Sequence, residues 1–152
     1  MLTGKITINE FGKTIKTKFN LDINVIEKWK EAYLQVMPIN YELLELVDKL
    51  KYDYKIGIIS NLPKLHFEIN KERDIFSHFD FAVLSCDVGF IKPQKEIFDL
   101  AIKKLNLTTE DCIFIDDRTE HLETPLKMGF QVINFKNNNQ FIEELEKLGI
   151  KI

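Results

Sequence analysis

Three short polar strings in this chain carry the residue types that phosphate chemistry needs: Ser60-Asn61, Lys92-Pro93 and Asp116-Asp117. A hydroxyl and its neighbouring amides donate hydrogen bonds to phosphoryl oxygens, and an ammonium offsets their charge. Adjacent carboxylates repel one another unless a cation or several donors offset them. A magnesium ion, held by carboxylate oxygens and water, does this while bridging to the phosphate. Each string alone has a plainer reading: Ser-Asn as a turn or cap, Lys92 as a solvated loop lysine, and Asp111 or Asp117 as helix caps. Their placement argues otherwise. Lys92 follows Ser60 by 32 residues and precedes Asp116 by 24, about one strand-helix unit each time. Ligands of open parallel sheets collect at the carboxyl ends of strands, so the three strings are expected on one rim.

The elements that must hold them there follow from hydrophobic spacing. From Thr7 to about Lys51 the apolar residues keep a helical beat: Phe11 with Ile15, then Val25, Ile26, Trp29, Tyr33 and Val36 after Asp22, which is read as an N-cap. Asn40 is expected to cap a further helix bearing Leu43, Leu44, Val47 and Leu50. After Tyr54 the pattern changes to four short apolar runs, at Ile56–Ile59, Phe81–Leu84, Ile113–Ile115 and Val132–Ile133. Without polar alternation, such runs read as strands buried on both faces. Between and after them lie helical stretches at Lys95–Leu105, Glu120–Met128 (closed by Gly129) and Gln140–Leu148. Alternating strand and helix predicts an α/β fold, a parallel sheet flanked by helices.

Composition sets the outer bounds. The 152 residues, 45% of them hydrophobic and 30% charged, fit one ordinary soluble domain. A chain of this length buries about 70% of its unfolded surface, enough for a core without metal or disulfide staples. With 21 basic and 24 acidic residues the net charge is −3, and no basic block stands out, which gives no support to nucleic-acid or anionic-membrane binding. The partner expected is a small phosphorylated metabolite. The two cysteines, Cys86 and Cys112, lie in unrelated contexts and suggest neither a disulfide nor a zinc site. The apolar runs are too short to cross a bilayer and the first residues lack a signal core, so a cytoplasmic location is expected.

The strings also resemble a known family. Ile56 to Asn61, Val88 to Phe98 (with Lys92-Pro93 and Ile97-Phe98) and Cys112 to Gly129 look like the second, third and fourth motifs of the haloacid dehalogenase-like (HAD-like) hydrolases. The resemblance covers about Pro38 to Phe135. It implies a Rossmann-like core, magnesium dependence and hydrolysis, most often of phosphate esters, through a covalent aspartyl intermediate. Carried over position by position, Ser60 and Asn61 match the phosphate-binding second motif, Lys92 the lysine of the third, and Asp116 with Asp117 the metal-binding fourth. His121 and Pro125 stand where members more often have asparagine and alanine. Residues 1–37 resemble part of a helical cap, and 38–152 the core.

One motif of that family has no counterpart. Its nucleophile is the first aspartate of an Asp-x-Asp ending an N-terminal strand, and the sequence contains no Asp-x-Asp. Without that residue the covalent step is lost, so the chain as given is expected to be inactive, a phosphatase in intact form. The alternatives are a phosphate- or metal-binding regulatory module of the same fold, or a dehalogenase. A phosphoacceptor receiver domain is excluded by order, since its acidic pair comes first in the chain. In the family the missing strand lies between those ending at Ser60 and Asp116. Its loss is expected to leave two unpaired edges, closed directly on each other, filled by a partner or second copy, or explained by a natural start upstream of Met1. Self-association through the incomplete cap is expected as well.

Overall fold

The computed structural model describes residues 1–151. The first third is helical: α1 (Ile8–Phe19), α2 (Val25–Val36) and α3 (Tyr41–Leu50). Thr7 starts α1 with a capping box, its hydroxyl accepting from the Glu10 amide while the Glu10 carboxylate accepts from the Thr7 amide at 2.8 Å. The cap of α2 is Asn24, whose Oδ1 accepts from Glu27 N, and this corrects the expectation of Asp22. Asp22 instead faces Lys16 at 3.8 Å. Asn40 caps α3, as its spacing predicts.

Helices α1 and α2 meet through Phe11 and Trp29, ring centroids 4.8 Å apart, yet neither helix has a fully buried residue. In contrast, α3 buries Leu46, Val47 and Leu50.

The four apolar runs become β1 (Gly57–Ser60), β2 (Phe81–Leu84), β3 (Ile113–Asp116) and β4 (Gln131–Asn134). Between them lie α4 (Lys64–Glu72), the one-turn α5 (Ser85–Val88), α6 (Lys95–Leu105) and the short α7 (Glu123–Lys127), and α8 (Asn138–Lys147) closes the described chain. The sequence signalled no helix at Ser85–Val88, and it placed the start of α7 three residues early, where the chain makes a 3-10 turn over Thr119–His121. Gly129 follows α7 at φ +100°, which only glycine adopts without strain.

The parallel sheet is in two halves. β1 pairs with β2 in parallel, Gly57 opposite Phe81 and Ser60 opposite Leu84, and β3 pairs with β4, Ile113 opposite Gln131 and Asp116 opposite Asn134. At Gly57 the Phe81 ring occupies the space a side chain would need. Among the described residues no ladder joins β1 to β3, so these two strands do not close on each other.

Side chains join the halves instead. On one face α6 inserts Ile97, Phe98 and Ala101 into a cluster with Val83 of β2 and Phe114 of β3, against which Ile59 and Val132 pack. Opposite, Leu46 and Leu50 of α3 cluster with Phe141 and Leu145 of α8 and Ile133 of β4, and Ile56 and Ile113 pack onto them. The strands are not covered evenly on both faces, contrary to the reading of the apolar runs. Along β3 Phe114 is buried while Ile115 is 37% exposed, because the α3–α8 cluster reaches Ile113 and stops short of the rim.

Candidate functional site

Period-two alternation along β3 places Asp116 on the same face as Phe114, so its side chain points to the buried side of the rim. Asp116 is 7% exposed. Its Oδ2 accepts from Lys92 Nζ at 2.6 Å, and its Oδ1 accepts from Arg118 N at 2.9 Å and His121 Nδ1 at 3.0 Å. An ionised carboxylate only accepts, so the Nδ1 proton of His121 is assigned to this bond. Burial pushes the Asp116 carboxyl up. The Lys92 hydrogen bond, the Arg118 amide, the Lys92 charge and the His121 bond outweigh that push and hold the carboxyl below its ordinary range.

Asn61 brings Lys92 to this place. Its Oδ1 accepts from Lys92 N at 2.7 Å and its Nδ2 donates to Lys92 O at 2.9 Å, a reciprocal clamp between the end of β1 and the loop entering α6. The Lys92-Pro93 bond is cis. Lys92 Nζ also lies 5.6 Å from the centre of the Phe114 ring. The carboxyl ends of β1 and β3 thus meet through an amide, an ammonium and a carboxylate.

Ser60 is the last residue of β1, next to Asn61 and half-buried, and its hydroxyl has no hydrogen bond among the described residues. Asp117 is exposed. Its carbonyl accepts from Asn134 Nδ2 at 3.1 Å, and its carboxylate pairs with no described residue. Magnesium is commonly held through one or two carboxylates, with water and phosphate completing its shell. Asp116 and Asp117 are hard oxygen donors of that kind, but both Asp116 oxygens already accept hydrogen bonds and Asp117 is exposed beside it, so the structure does not bring the two carboxylates together. No cluster of three His, Cys, Asp or Glu ligands exists among the described residues, so a cation here would need phosphate and water to complete its shell.

Two residues that sequence reasoning did not assign support the rim. His121 is 6% exposed and was visible only as a departure from the family pattern. Ser85, fully buried at the end of β2, accepts from Leu62 N at 3.0 Å and donates to Leu62 O at 3.4 Å, pinning the turn that carries Ser60 and Asn61. Ser85→Ala leaves both Leu62 groups without a partner, and a loss of about 1–3 kcal/mol is expected. Chemical denaturation checks it, and a change under 0.5 kcal/mol would show that the turn holds without the serine.

Above this rim a cleft of about 450 Å³ opens between α2 and the start of α4. Trp29, Tyr33 and His66, packed against one another, line it together with Ser60 and Asn61.

The comparisons with known proteins bear on the family and the fold. The chain is 33% identical over 75 residues to bifunctional epoxide hydrolase 2 of Mus musculus, a match covering 49% of this chain and 14% of that protein. It is 24% identical over 150 residues to D-ribitol-5-phosphate phosphatase of Bacteroides thetaiotaomicron, covering 93% and 72%. Against the first curated relatives it matches, the chain spans between 14% and 41% of their length. In fold it is similar to a structure described as a predicted HAD-like family hydrolase from Porphyromonas gingivalis, with TM-score 0.84 and 23% identity over 99% of this chain and 77% of that one. It is also similar to a HAD family enzyme of Bacteroides thetaiotaomicron in complex with magnesium and inorganic phosphate, with TM-score 0.80 and 21% identity over 89% and 72%. The model of the haloacid dehalogenase-like hydrolases matches residues 2–135, and with the rim just described this places the chain in that family.

Proposed function

We propose that the rim is the phosphoryl-binding site of a magnesium-dependent phosphatase acting on a small phosphorylated metabolite, with residues 1–37 as its cap segment and 38–152 as its core. The observation that carries this reading is the buried contact of Lys92 with Asp116, 2.6 Å long and with side chains 10% and 5% exposed, at the carboxyl ends of both half-sheets. Ser60 and the amides beside Asn61 donate to phosphoryl oxygens. Lys92 supplies the positive charge, and Asp116, with the exposed Asp117 next to it, would hold a magnesium ion, which would offset the phosphate charge and polarise it. Relatives described as a D-ribitol-5-phosphate phosphatase and as a magnesium and phosphate complex support the substrate and metal.

The absence of Asp-x-Asp favours a second reading of this sequence taken by itself, as a site that binds without turnover. Both readings require binding, so titration calorimetry of the chain with phosphate and magnesium tests them together. Saturable heat is expected, lost in Asp116→Asn. Phenyl phosphate hydrolysis then separates them: steady magnesium-dependent turnover by this chain would overturn the binding-only reading. Absence of both heat and hydrolysis would overturn the site.

A further inference from the structure

The hairpin of α1 and α2 stands apart from the core. Neither core cluster contains a residue of these helices, and neither helix buries a residue fully. Its main attachment is α2 lying against α4. Across that contact Trp29 Nε1 donates to His66 Nε2 at 3.0 Å, Asn70 Nδ2 donates to the Tyr33 hydroxyl at 2.9 Å, Arg73 donates to Met37 O at 2.9 Å, and Lys30 pairs with Glu72 at the exposed edge. The Tyr33 ring stacks on His66 with centroids 4.1 Å apart, and Trp29 meets His66 edge-on at 5.8 Å.

His66 is the member of this attachment whose role a proton inverts. Indole nitrogen only donates, so Nε2 must accept and cannot carry a proton. Protonation of Nε2 sets two donors face to face, and the bond is lost. Burial acts against the charged form as well, and it holds His66 below its ordinary 6.5. The charged groups around it are paired elsewhere. On α4, Lys64 faces Glu68 and Asp87, Glu72 faces Lys30 of α2, and Arg73 reaches the Met37 carbonyl. In the 3-10 turn over Ile75–His78, which packs on α4, His78 bonds Asp48 at 2.9 Å. A proton strengthens that contact instead of breaking it.

We propose that His66 is an acid-released latch: with Nε2 unprotonated it holds the hairpin on α4, and on protonation it frees the hairpin and opens the cleft that α2 shares with Ser60 and Asn61. The latch does not require the rim to bind phosphate. In the freed hairpin His66 is exposed and titrates at its ordinary 6.5, whereas docked it titrates lower. Docking is therefore at full strength above pH 6.5 and weakens as the pH falls through the docked value. One neutral hydrogen bond lost is worth about fivefold in the docking equilibrium.

Amide hydrogen exchange on the whole chain, corrected for the intrinsic pH dependence of exchange, reads that equilibrium element by element. Between pH 7 and pH 5 the protection of α1 and α2 is expected to fall about fivefold, while that of α6 stays constant. In His66→Gln the side-chain carbonyl still accepts from Trp29 but takes up no proton. Hairpin protection in that variant should lose its pH dependence, whatever its level. His78→Asn, which removes the other titrating imidazole on this side, should leave the fall intact. The latch is overturned by hairpin protection that stays constant in the unmodified chain, falls equally in His66→Gln, stops falling in His78→Asn, or falls only together with α6. None of these results touches the phosphoryl reading, which calorimetry tests separately.

Discussion

Lys92→Met is expected to destabilise the chain by about 3–5 kcal/mol at neutral pH, the usual result of stranding one member of a buried ion pair. Methionine keeps the length and apolar stem of lysine, and the backbone clamp from Asn61 remains. What disappears is the ammonium that answers the Asp116 carboxylate at 2.6 Å. For a domain of this size the loss corresponds to a melting temperature lower by roughly 10 °C. In the parent chain the Asp116 carboxyl lies below its ordinary value of 3.8. A depressed acid contributes stability that is complete above its unfolded value and is lost as the pH falls through its folded one. In the variant, burial still pushes the carboxyl up while two of the four opposing influences are gone. Protonation then occurs at higher pH and relieves the stranded charge. The deficit relative to the parent should therefore be greatest near pH 7 and shrink as the pH falls below about 4. Denaturant titrations across that span measure it. A deficit under 1 kcal/mol at pH 7, or one that stays constant down to pH 3, would contradict a buried ion pair. Adding Asp116→Asn to Lys92→Met should recover much of the loss, since the two residues act as a unit.

What the sequence disclosed, and what it withheld, divides by range. The beat of Ile97, Phe98 and Ala101 is local, and α6 runs over Lys95–Leu105 as that beat predicts. The three strings are each fixed by a neighbouring apolar run, which made their common rim legible. The choice between Asp22 and Asn24 as a cap was also local, and the signal was present. Asn24 stands three residues before Glu27, the spacing of a capping pair. Contacts spanning many residues left no such trace. Ser85 answers Leu62 across 23 residues, and Trp29 answers His66 across 37. Asp117 was read together with Asp116, yet strand alternation turns one side chain inward and leaves its neighbour exposed.

The division of the sheet makes one core residue more consequential than its size suggests. With no ladder between β1 and β3 among the described residues, no backbone hydrogen bond between those strands couples the halves. Side-chain packing must do so, and Phe98 is central to it. Phe98 is fully buried on α6, its ring edge-on to Phe114 of β3 at 5.1 Å and to Phe130 before β4 at 6.3 Å, within the cluster that also holds Val83 of β2. Phe98→Ala removes these contacts and leaves a cavity between the halves, at an expected cost of about 3–5 kcal/mol. In a continuous sheet the ladder would keep unfolding cooperative despite that loss. Here the β1–β2 and β3–β4 halves are expected to separate in stability, so that unfolding followed by Trp29 fluorescence no longer coincides with unfolding followed by far-ultraviolet circular dichroism. Phe135→Ala is the control. Phe135 packs against Phe141 of α8 on the other face at 5.8 Å, and its loss should lower stability while the two signals still coincide. Coincident transitions in Phe98→Ala would mean that α3 and α8 suffice to bind the halves into one cooperative unit.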